Sequence, residues 1–541
     1  MANKLELTWV GKENEIKVEP RILIENPALS NMSHKTAGQA SIFDGENADG
    51  FDNMLIHGDN LLALKALESK FAGQVKCIYI DPPYNTGSAF EHYDDGIEHS
   101  IWLNLMYNRL LLLKNLLHKT EGTIWITLDD NEAHYAKIIC DGIWGRNNFI
   151  GDVIWNSRKS VSNDAILSLN TNHILVYASN IDYIRAKAKR GELFRGDLDT
   201  SKFANPDNDP RGPWVADPFD APAVRANLSY EIKNPNTGVV YTPPKGRHWR
   251  TEKEKYDALF ADNRIVFGKN GDSKPQQKRF LSECLGKGAV LTTLWDDLDT
   301  TTNATKHSQT MFVNSFTNPK PENLIERILK LSTKPGDLVL DSFLGSGTPA
   351  AVAQKMGRKW IGVEMGDQAY DFCKVRLDKV IDGSDQGGIT KSVNWKGGGG
   401  YRFYELAPTL VVTDKFGNPV INKVYNADML AAAMALQEGF TYCPDDTFYW
   451  KQGKNENAYI FTTTSHVTAG YLASIHSEMQ DDEYLVIACK AYDSGIEKLF
   501  KNITVKKIPQ VLLGRCEFGK NDYSLNIVDM PFMEEEDEGD N

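Results

Sequence analysis

The sequence predicts an α/β protein built on a parallel sheet with helices on both faces. Two stretches of the chain carry alternating strand and helix patterns, each bounded by turn residues. Short apolar runs are typical of strands that are buried on both faces, whereas Leu at helical spacing indicates helices. Strands that alternate with helices are joined by crossovers, which produce a parallel sheet. A chain of 541 residues is long enough for several such cores.

The first stretch supplies three predicted strands and two predicted helices. The strands are Asn53–His57, Val75–Ile80 and Gly122–Leu128, and the helices are Asn60–Lys70 and Ile101–Lys119. Residues 1–50 mix short apolar and polar segments and are interpreted as an N-terminal arm. The alternation ends near Ser157, which assigns residues 51–155 to the first part of the core.

The second stretch completes the predicted core over residues 311–400. Its elements are the helix Glu322–Lys330, the strand Leu338–Leu340, the helix Pro349–Met356 and the strand Trp360–Glu364. Residues 156–310 are rich in Pro, Gly, Asn and Asp, which indicates an inserted, loop-rich module. The glycine run Gly397–Gly400 marks a boundary, and residues 401–533 are predicted to form a C-terminal α+β domain. Residues 534–541 are an acidic tail, expected to be disordered.

Composition restricts the class of protein. The net charge is −13, but residues 181–280 hold 19 Lys and Arg against 14 Asp and Glu, which suits nucleic acid or simply a basic solvated surface. The seven cysteines stand singly and are interpreted as reduced core residues, and the eleven histidines show no metal spacing. No metal is therefore expected. No apolar run is long enough to cross a membrane, and no signal peptide is recognised, so we expect a cytoplasmic protein.

A candidate catalytic motif directly follows the predicted strand Val75–Ile80. It consists of Asp81, Pro82, Pro83 and Tyr84, and the carboxyl end of a parallel strand is where open sheets bind ligands. The Asp81 carboxylate and the Pro82 carbonyl can accept both hydrogens of an aromatic amine, which aims its lone pair at an electrophile. Tyr84 can stack on a flipped base. Taken alone, the four residues could also be an ordinary strand-ending turn stiffened by proline.

A second motif, a candidate cofactor site, follows the predicted strand Leu338–Leu340. It reads Asp341-Ser-Phe343-Leu-Gly345-Ser346-Gly347-Thr348. Glycines at such a turn let the backbone approach a nucleotide-like ligand, and Glu364, at the end of the next strand, can accept ribose hydroxyls. A dinucleotide would also suit this turn, with Ala350 in place of the third glycine. A P-loop is excluded because Gly-Lys-Ser/Thr is absent.

Together the two motifs resemble the catalytic and cofactor motifs of amino-methyltransferases of DNA, and their order resembles the beta class. Two further segments match the family pattern. Asn318-Pro-Lys320-Pro321-Glu322 looks like the segment that covers the methionine part of the cofactor, and His57-Gly-Asp59-Asn60 looks like the acidic motif ahead of the catalytic loop. The resemblance is strong over about residues 50–130 and 310–380.

The resemblance implies a Rossmann-like methyltransferase core with a mostly parallel seven-stranded sheet and S-adenosylmethionine as the cofactor. The residues implied for the cofactor are Asp59, Asp81, Lys320, Pro321, Asp341, Phe343, Gly345, Ser346, Gly347, Thr348 and Glu364. The insert 156–310 takes the place of a target-recognition domain for double-stranded DNA. Asp rather than Ser before Pro-Pro-Tyr usually accompanies adenine in this class, which favours adenine N6 over cytosine N4.

Four shorter segments resemble the modification (Mod) subunit of type III restriction-modification systems. They are Leu7-Thr-Trp-Val-Gly11, Asn205–Trp214, Leu294-Trp-Asp-Asp297 and Val393-Asn-Trp-Lys-Gly397. This resemblance implies recognition of a short asymmetric sequence, often by a homodimer, and binding of a separate helicase-nuclease (Res) subunit. Nothing in the residue spacing shows that partner. Dimer or partner contact is a hypothesis for residues 401–533, which carry no chemical motif.

Several alternatives stay open from the sequence. The chain could be a DNA-binding specificity subunit that recruits a nuclease, with methylation secondary, a cytosine-N4 enzyme, or a methyltransferase of RNA or a small molecule. The intact motifs argue against lost methylation, and the size of the insert favours a polymer. Basic residues of the insert are interleaved with Trp214, Trp249, Tyr230 and Tyr241, which suits phosphate contacts and stacking, although each tryptophan is more often core than contact.

Overall fold

The computed structural model describes most of the chain. The described residues are 6–14, 16–32, 53–83, 95–162, 165–268, 270–314, 316–513 and 515–523. Tyr84 of the catalytic motif, residues 33–50 of the N-terminal arm and the acidic tail 534–541 lie outside them.

The described residues contain strands and α-helices that alternate through much of the chain. The strands are β1 (Leu23–Glu25), β2 (Asn31–Met32), β3 (Asn53–His57), β4 (Cys77–Ile80), β5 (Thr123–Leu128), β6 (Phe149–Asn156), β7 (Thr171–Ala178), β8 (Trp214–Pro218), β9 (Asp220–Pro222), β10 (Ile232–Lys233), β11 (Val240–Tyr241), β12 (Arg247–Trp249), β13 (Ile265–Val266), β14 (Gln276–Phe280), β15 (Leu294–Trp295), β16 (Leu338–Asp341), β17 (Lys359–Glu364), β18 (Gly400–Leu406), β19 (Val411–Thr413), β20 (Pro419–Ile421), β21 (Thr441–Tyr442), β22 (Gly453–Asn455), β23 (Ala458–Val467), β24 (Tyr484–Tyr492) and β25 (Ile503–Lys507). The helices are α1 (Asn60–Phe71), α2 (Asp95–Leu116), α3 (Ala133–Cys140), α4 (Ile181–Arg190), α5 (Lys253–Ala261), α6 (Leu281–Cys284), α7 (Thr301–Met311), α8 (Glu322–Ser332), α9 (Thr348–Lys355), α10 (Val375–Ile381), α11 (Ala427–Glu438) and α12 (Ala469–Glu478).

One large sheet organises the first unit of the molecule, which comprises residues 1–184 and 292–541. Its strand order is β1-β18-β3-β17-β16-β4-β5-β7-β6-β15, with β2 beside β18. Neighbours from β18 to β5 are parallel, while β7 runs against both β5 and β6. The run β3-β17-β16-β4-β5-β7-β6 confirms the predicted seven-stranded, mostly parallel sheet. The N-terminal arm, β18 and β15 extend it to eleven strands.

The central strands are apolar because both of their faces are covered. Every residue of β4 and of β5 is buried, which is typical of parallel strands with helices on each face. A large apolar core contains residues of these strands together with Trp102, Leu110 and Leu113 of α2. The sheet therefore holds the ends of its strands in fixed relative positions.

The second compact unit is Arg185–Leu291, which is shorter than the predicted insert 156–310. The difference has a structural cause, since β7 lies between β5 and β6 in the large sheet and β15 pairs with β6. The second unit has its own apolar core of Phe219, Ile232, Trp249, Tyr256, Ile265 and Phe267. The interpretation of its tryptophans as core residues holds for Trp249, which is fully buried.

The C-terminal residues contain a second sheet, in the order β21-β22-β23-β24-β25. Its last three strands are parallel, and α11 and α12 accompany them. Strand β18 instead belongs to the large sheet, so the predicted boundary at residue 400 falls ahead of a core strand. Near residue 523 the chain returns to the start of α1, where the Tyr523 amide donates to Asp59 over 2.9 Å. No helix within the described residues is long and apolar enough to span a membrane.

Candidate active site

The catalytic and cofactor motifs lie side by side at one edge of the large sheet. Strands β4 and β16 are parallel neighbours, with Ile78 opposite Leu340. Their carboxyl ends therefore emerge together, and the chain turns there into the two motifs. We call residues 81–83 the catalytic turn and residues 341–348 the cofactor turn. Glu364 ends β17, the next strand along.

The catalytic turn is held by side chains from distant parts of the chain. The Lys320 ammonium group contacts Oδ2 of Asp81, and Lys320 is nearly buried whereas Asp81 is partly exposed. The indole N–H of Trp102, on α2, donates to the Pro83 carbonyl over 2.9 Å. Pro82 is buried. The turn is thus fixed at both of its ends, with the Asp81 carboxylate directed to the edge of the sheet that also carries the cofactor turn.

The cofactor turn is held mainly by its own backbone. Oδ1 of Asp341 accepts a hydrogen bond from the Phe343 amide over 2.9 Å, and the Gly345 amide donates to Oε2 of Glu364 over 2.6 Å. Gly345 and Gly347 have φ of 55° and 79°, a region that side-chain-bearing residues rarely adopt. A Cβ at Gly347 would also lie 3.2 Å from the Cys373 Cα atom.

The hydroxyl groups of the cofactor turn face the protein. Ser346 Oγ and Thr348 Oγ1 lie 3.1 Å apart, and both residues are buried. Arg376 donates from Nη1 to Thr348 Oγ1 over 2.6 Å and from Nη2 to Glu322 Oε1 over 2.8 Å. Their hydroxyls therefore stabilise the turn, while Phe343 packs against the main apolar core.

Three carboxyl groups, those of Asp81, Asp341 and Glu364, lie near one another at this edge. Burial raises the pKa of Asp341 well above its usual value, and the nearby Asp81 and Glu364 carboxylates raise it further. Burial also raises the pKa of Glu364, against three backbone amides that lower it. Lys320 lowers the pKa of Asp341. Three neighbouring carboxyl groups, two of which interact with Lys320, form a site that suits a cationic ligand.

Asp59 lies in a different environment from the other predicted residues. Its Oδ1 accepts the amides of Leu61 and Leu62, which caps α1, and its Oδ2 accepts from Arg109 and from the Tyr523 amide. The side chain is fully buried. Four protein donors leave this carboxylate engaged in holding α1, α2 and the C-terminal segment together. Its direct contact with a cofactor stays a prediction that this geometry does not favour.

Sequence reasoning missed Trp102, Arg109 and Arg376. Nothing in the local pattern distinguishes Trp102 from the apolar residues around it on α2. An arginine on the apolar face of a helix is an unusual residue, however, and Arg109 is nearly fully buried. A buried charge requires partners, so this position could have been singled out.

One cluster has the composition of a metal site but carries its own cation. Ligand atoms of His307, Glu322 and Asp385 lie close enough together to hold an ion. The Lys355 ammonium group lies among them, 2.8 Å from Glu322 Oε2 and 2.6 Å from Asp385 Oδ2. Lys355 and Arg376, which donates to Glu322 Oε1 over 2.8 Å, supply the positive charges that balance the two carboxylates.

The fold and the paired turns define a class. A sheet in the order β3-β17-β16-β4-β5-β7-β6, with one reversed strand and the two motifs at the carboxyl ends of its central strands, is the Rossmann-like core of a methyltransferase. The described site residues lie at the carboxyl edge of that sheet.

Comparison with known proteins assigns the chain to a family within the methyltransferases. A family model described as DNA methylase matches residues 75–374. The probable type III restriction-modification enzyme HindVI Mod subunit of Haemophilus influenzae is 32% identical over 71% of this chain and 58% of its own length. The type II methyltransferase M.EcaI of Enterobacter cloacae is 32% identical over 64% of this chain and 74% of its own length. The chain belongs to the DNA methylase family.

Two further comparisons give the share of a relative's length that is matched and the similarity to a solved structure. The StyLTI Mod subunit of Salmonella typhimurium is 32% identical over 60% of this chain, and 52% of its own length is covered, so this chain spans little more than half the length of these two Mod subunits. A putative DNA modification methylase from Thermus thermophilus, solved with S-adenosyl-L-methionine, has 16% identity and a TM-score of 0.32 over 66% of this chain and 100% of that one.

Proposed function

We propose that the chain transfers a methyl group from S-adenosylmethionine to N6 of adenine within a short sequence of double-stranded DNA. The observation that carries this proposal is the juxtaposition of the two turns on neighbouring parallel strands, with Lys320 in contact with Asp81. The two motifs are about 260 residues apart in the chain. Chance turns at that separation would have no reason to meet at one edge.

The residues of the cofactor turn suit S-adenosylmethionine. Glu364 accepts the Met365 amide at Oε1 over 3.1 Å and the Gly345 amide at Oε2 over 2.6 Å, and the Gly366 amide is a third donor. A carboxylate has about four lone-pair sites, so Glu364 can still accept a ribose hydroxyl. Gly345 and Gly347 allow the positive φ of this turn, which lets its backbone come close to a nucleoside. The carboxylates of Asp341 and Asp81 would offset the positive charges of the cofactor.

The chain's own groups prepare the amine for reaction. S-adenosylmethionine, when bound, would supply an electrophilic methyl group as a sulfonium. Asp81 and the Pro82 carbonyl would each accept one amine hydrogen, which favours a pyramidal nitrogen and receives positive charge as it develops. Lys320 and Trp102 hold the turn that carries both acceptors. A base must leave the duplex to reach this edge, and Tyr84 is proposed as its stacking partner.

The base is proposed as adenine because Asp81 occupies the first position of the catalytic motif. This assignment depends on the resemblance of that motif to adenine-specific enzymes. Cytosine N4 presents a similar exocyclic amine, which the same two acceptors could hold. Analysis of methylated nucleosides distinguishes the two, since N6-methyladenine and N4-methylcytosine are separate products.

The second compact unit, Arg185–Leu291, is proposed to contact the DNA. Its aromatic residues form a core of their own, while Arg225, Lys245 and Arg250 are exposed. Exposed basic side chains bind phosphates and release counterions. Replacing Arg225 by Ala should weaken DNA binding and reduce the slope of log affinity against log salt by about one if it contacts a phosphate. An unchanged slope for all three positions, measured singly, would contradict this assignment.

The assembly is also a proposal. The relatives named Mod subunits, together with the short segments that resemble them, support a modification subunit that recognises DNA as a homodimer and binds a helicase-nuclease. Light scattering on the purified chain measures the first property directly. A monomer at all concentrations that methylates DNA would contradict the dimer.

A transfer assay tests the proposed function. The purified chain is incubated with S-adenosylmethionine and genomic DNA from a methylation-free host, and the nucleosides are analysed by mass spectrometry. N6-methyladenine is the expected product, and it should appear with DNA but not with RNA of the same host. N4-methylcytosine would correct the base, and absence of both products would contradict the activity.

A further inference from the structure

Helix α2 contacts the catalytic turn directly and is connected to the cofactor turn through a residue of α1. Trp102 and Arg109 are seven residues apart on it, which is about two helical turns, so both side chains lie on one face. Trp102 donates to the Pro83 carbonyl. Arg109 contacts Asn60 Oδ1 through Nε. Both residues are almost fully buried.

Asn60 continues this contact to the cofactor turn. Its Nδ2 donates to the main-chain carbonyl of Ser342 over 2.7 Å, and Ser342 follows Asp341 at the start of the turn. Asn60 is the first residue of α1 and is itself buried. The side chains of Arg109 and Asn60 therefore link α2 to the backbone of the cofactor turn.

Arg109 is held in a single position by its other contacts. Its Nη2 donates to Asp59 Oδ2 over 3.2 Å and its Nη1 to the Leu105 carbonyl over 3.0 Å. Burial lowers the pKa of Arg109, and the Asp59 carboxylate opposes that change. A buried guanidinium with these partners has few alternative arrangements, because each displacement would leave a charge unpaired.

Resting on the proposed function, we propose that Trp102 and Arg109 are positioning residues that set the catalytic turn against the cofactor turn. Trp102 fixes the peptide group of Pro83, so that the preceding carbonyl of Pro82 stays directed at the amine. Arg109 fixes the backbone of Ser342 through Asn60. Because both act from one helix, α2 adds a second link between the two turns to the one that the pairing of β4 with β16 already provides.

The two roles predict different kinetic effects. Trp102→Phe keeps a large apolar ring but removes the donor, and we expect the rate of transfer to fall roughly five- to a hundredfold while S-adenosylmethionine affinity changes less than about twofold. Arg109→Lys keeps the charge but loses the planar set of donors. It should weaken S-adenosylmethionine binding about tenfold and leave the rate at saturating cofactor within about threefold.

Two matched controls separate positioning from general stability. Trp450→Phe makes the same change at a fully buried indole that donates to Glu478 Oε2 over 2.9 Å, in the C-terminal sheet region. Arg358→Lys makes the second change at an arginine that donates to the Thr333 and Met356 carbonyls beside the amino end of β17. Both controls should alter the unfolding temperature without altering either kinetic parameter.

A third variant covers the case in which Arg109→Lys does not fold. Asn60→Ser removes the donor to Ser342 while leaving the contact between Arg109 and Asp59, and it should reproduce the weakened cofactor binding. Cofactor affinity is measured by calorimetry with S-adenosylmethionine alone, and the transfer rate is measured in single turnover on genomic DNA from a methylation-free host.

The outcomes distinguish this inference from the proposed function. Lower transfer with intact cofactor binding for Trp102→Phe, and the opposite pattern for Asn60→Ser, would support the positioning roles. Wild-type behaviour of both variants, or the same pattern in the controls, would overturn them while the wild-type chain still methylates DNA. Failure of the wild-type chain to bind cofactor or transfer a methyl group would instead contradict the proposed function.

Discussion

The two turns of the candidate site are stabilised in contrasting ways. The cofactor turn is held by bonds between near neighbours and adjacent strands, such as Asp341 to the Phe343 amide and Glu364 to the Gly345 amide. The catalytic turn depends on Lys320 and Trp102, which come from separate segments of the chain. The first turn is therefore held largely by local bonds, to which Asn60 and Arg376 add contacts from other elements, whereas the second depends on segments that meet only in the folded core.

The largest expected effect isolates the catalytic turn. Asp81→Ala removes an acceptor for the amine, so transfer should fall about a hundredfold or more. Cofactor binding should weaken by no more than about threefold, because Asp341 and the bonds of the cofactor turn remain when the Asp81 charge is lost. Calorimetry and a transfer assay measure the two properties on the same sample. Asp481→Ala, in an exposed turn, is the control, and comparable transfer by Asp81→Ala and wild type would remove the assigned catalytic role.

The next largest effect is expected from removing the contact between Lys320 and Asp81, which joins distant segments of the chain. Lys320→Met removes the ammonium group that contacts Asp81 and lowers the pKa of Asp341. We expect transfer to fall about tenfold or more, with weaker cofactor binding as a secondary effect. Lys320→Arg should recover part of the activity, since it retains the charge. An inactive arginine variant together with an active methionine variant would show that charge is not what Lys320 contributes.

A smaller effect isolates the cofactor turn. Glu364→Gln keeps the shape of the side chain but weakens its acceptance of the Gly345 amide and of ribose hydroxyls. The dissociation constant for S-adenosylmethionine should rise about tenfold, with the rate at saturating cofactor little changed. Calorimetry and the dependence of rate on cofactor concentration provide the measurement. An unchanged dissociation constant would place the ribose elsewhere.

The smallest effect concerns pH. The pKa values of Asp341 and Glu364 are raised by burial, so both stay protonated at pH values at which ordinary carboxyl groups are ionised. Only the ionised forms offset a cationic cofactor, and affinity should therefore increase as pH rises through the raised pKa values. We expect affinity to rise about a few-fold over the pH range in which these two groups titrate, with a smaller rise in Glu364→Gln. A fall in affinity with rising pH would contradict this sign.

The way in which each region is stabilised explains what could be predicted from the sequence. Strand β3 and helices α1 and α9 agree with the patterns within one residue, and the fold class followed from their alternation. The cofactor turn was recognisable because its geometry depends on its own glycines and on Glu364 at a fixed spacing. Buried apolar runs and local turns leave a direct signal in the sequence.

Long-range contacts left no such signal. The strand β7 was assigned to the insert because its pairing with β5 and β6 cannot be inferred from its own residues. The contacts of Trp102 with Pro83 and of Arg109 with Asn60 likewise arise from the packing of α2. Lys320 was named through resemblance to a family, and its position beside Asp81 required the folded chain.

The measurement that tests the central claim most directly is single-molecule sequencing of DNA from a methylation-free host that expresses this chain, beside a host that expresses Asp81→Ala. We expect N6-methyladenine at one short sequence with the wild-type chain and none with the variant. Equal modification in both hosts would contradict the assignment of Asp81, and absence of modification in both, with the chain folded and able to bind S-adenosylmethionine, would contradict methylation by this chain acting alone.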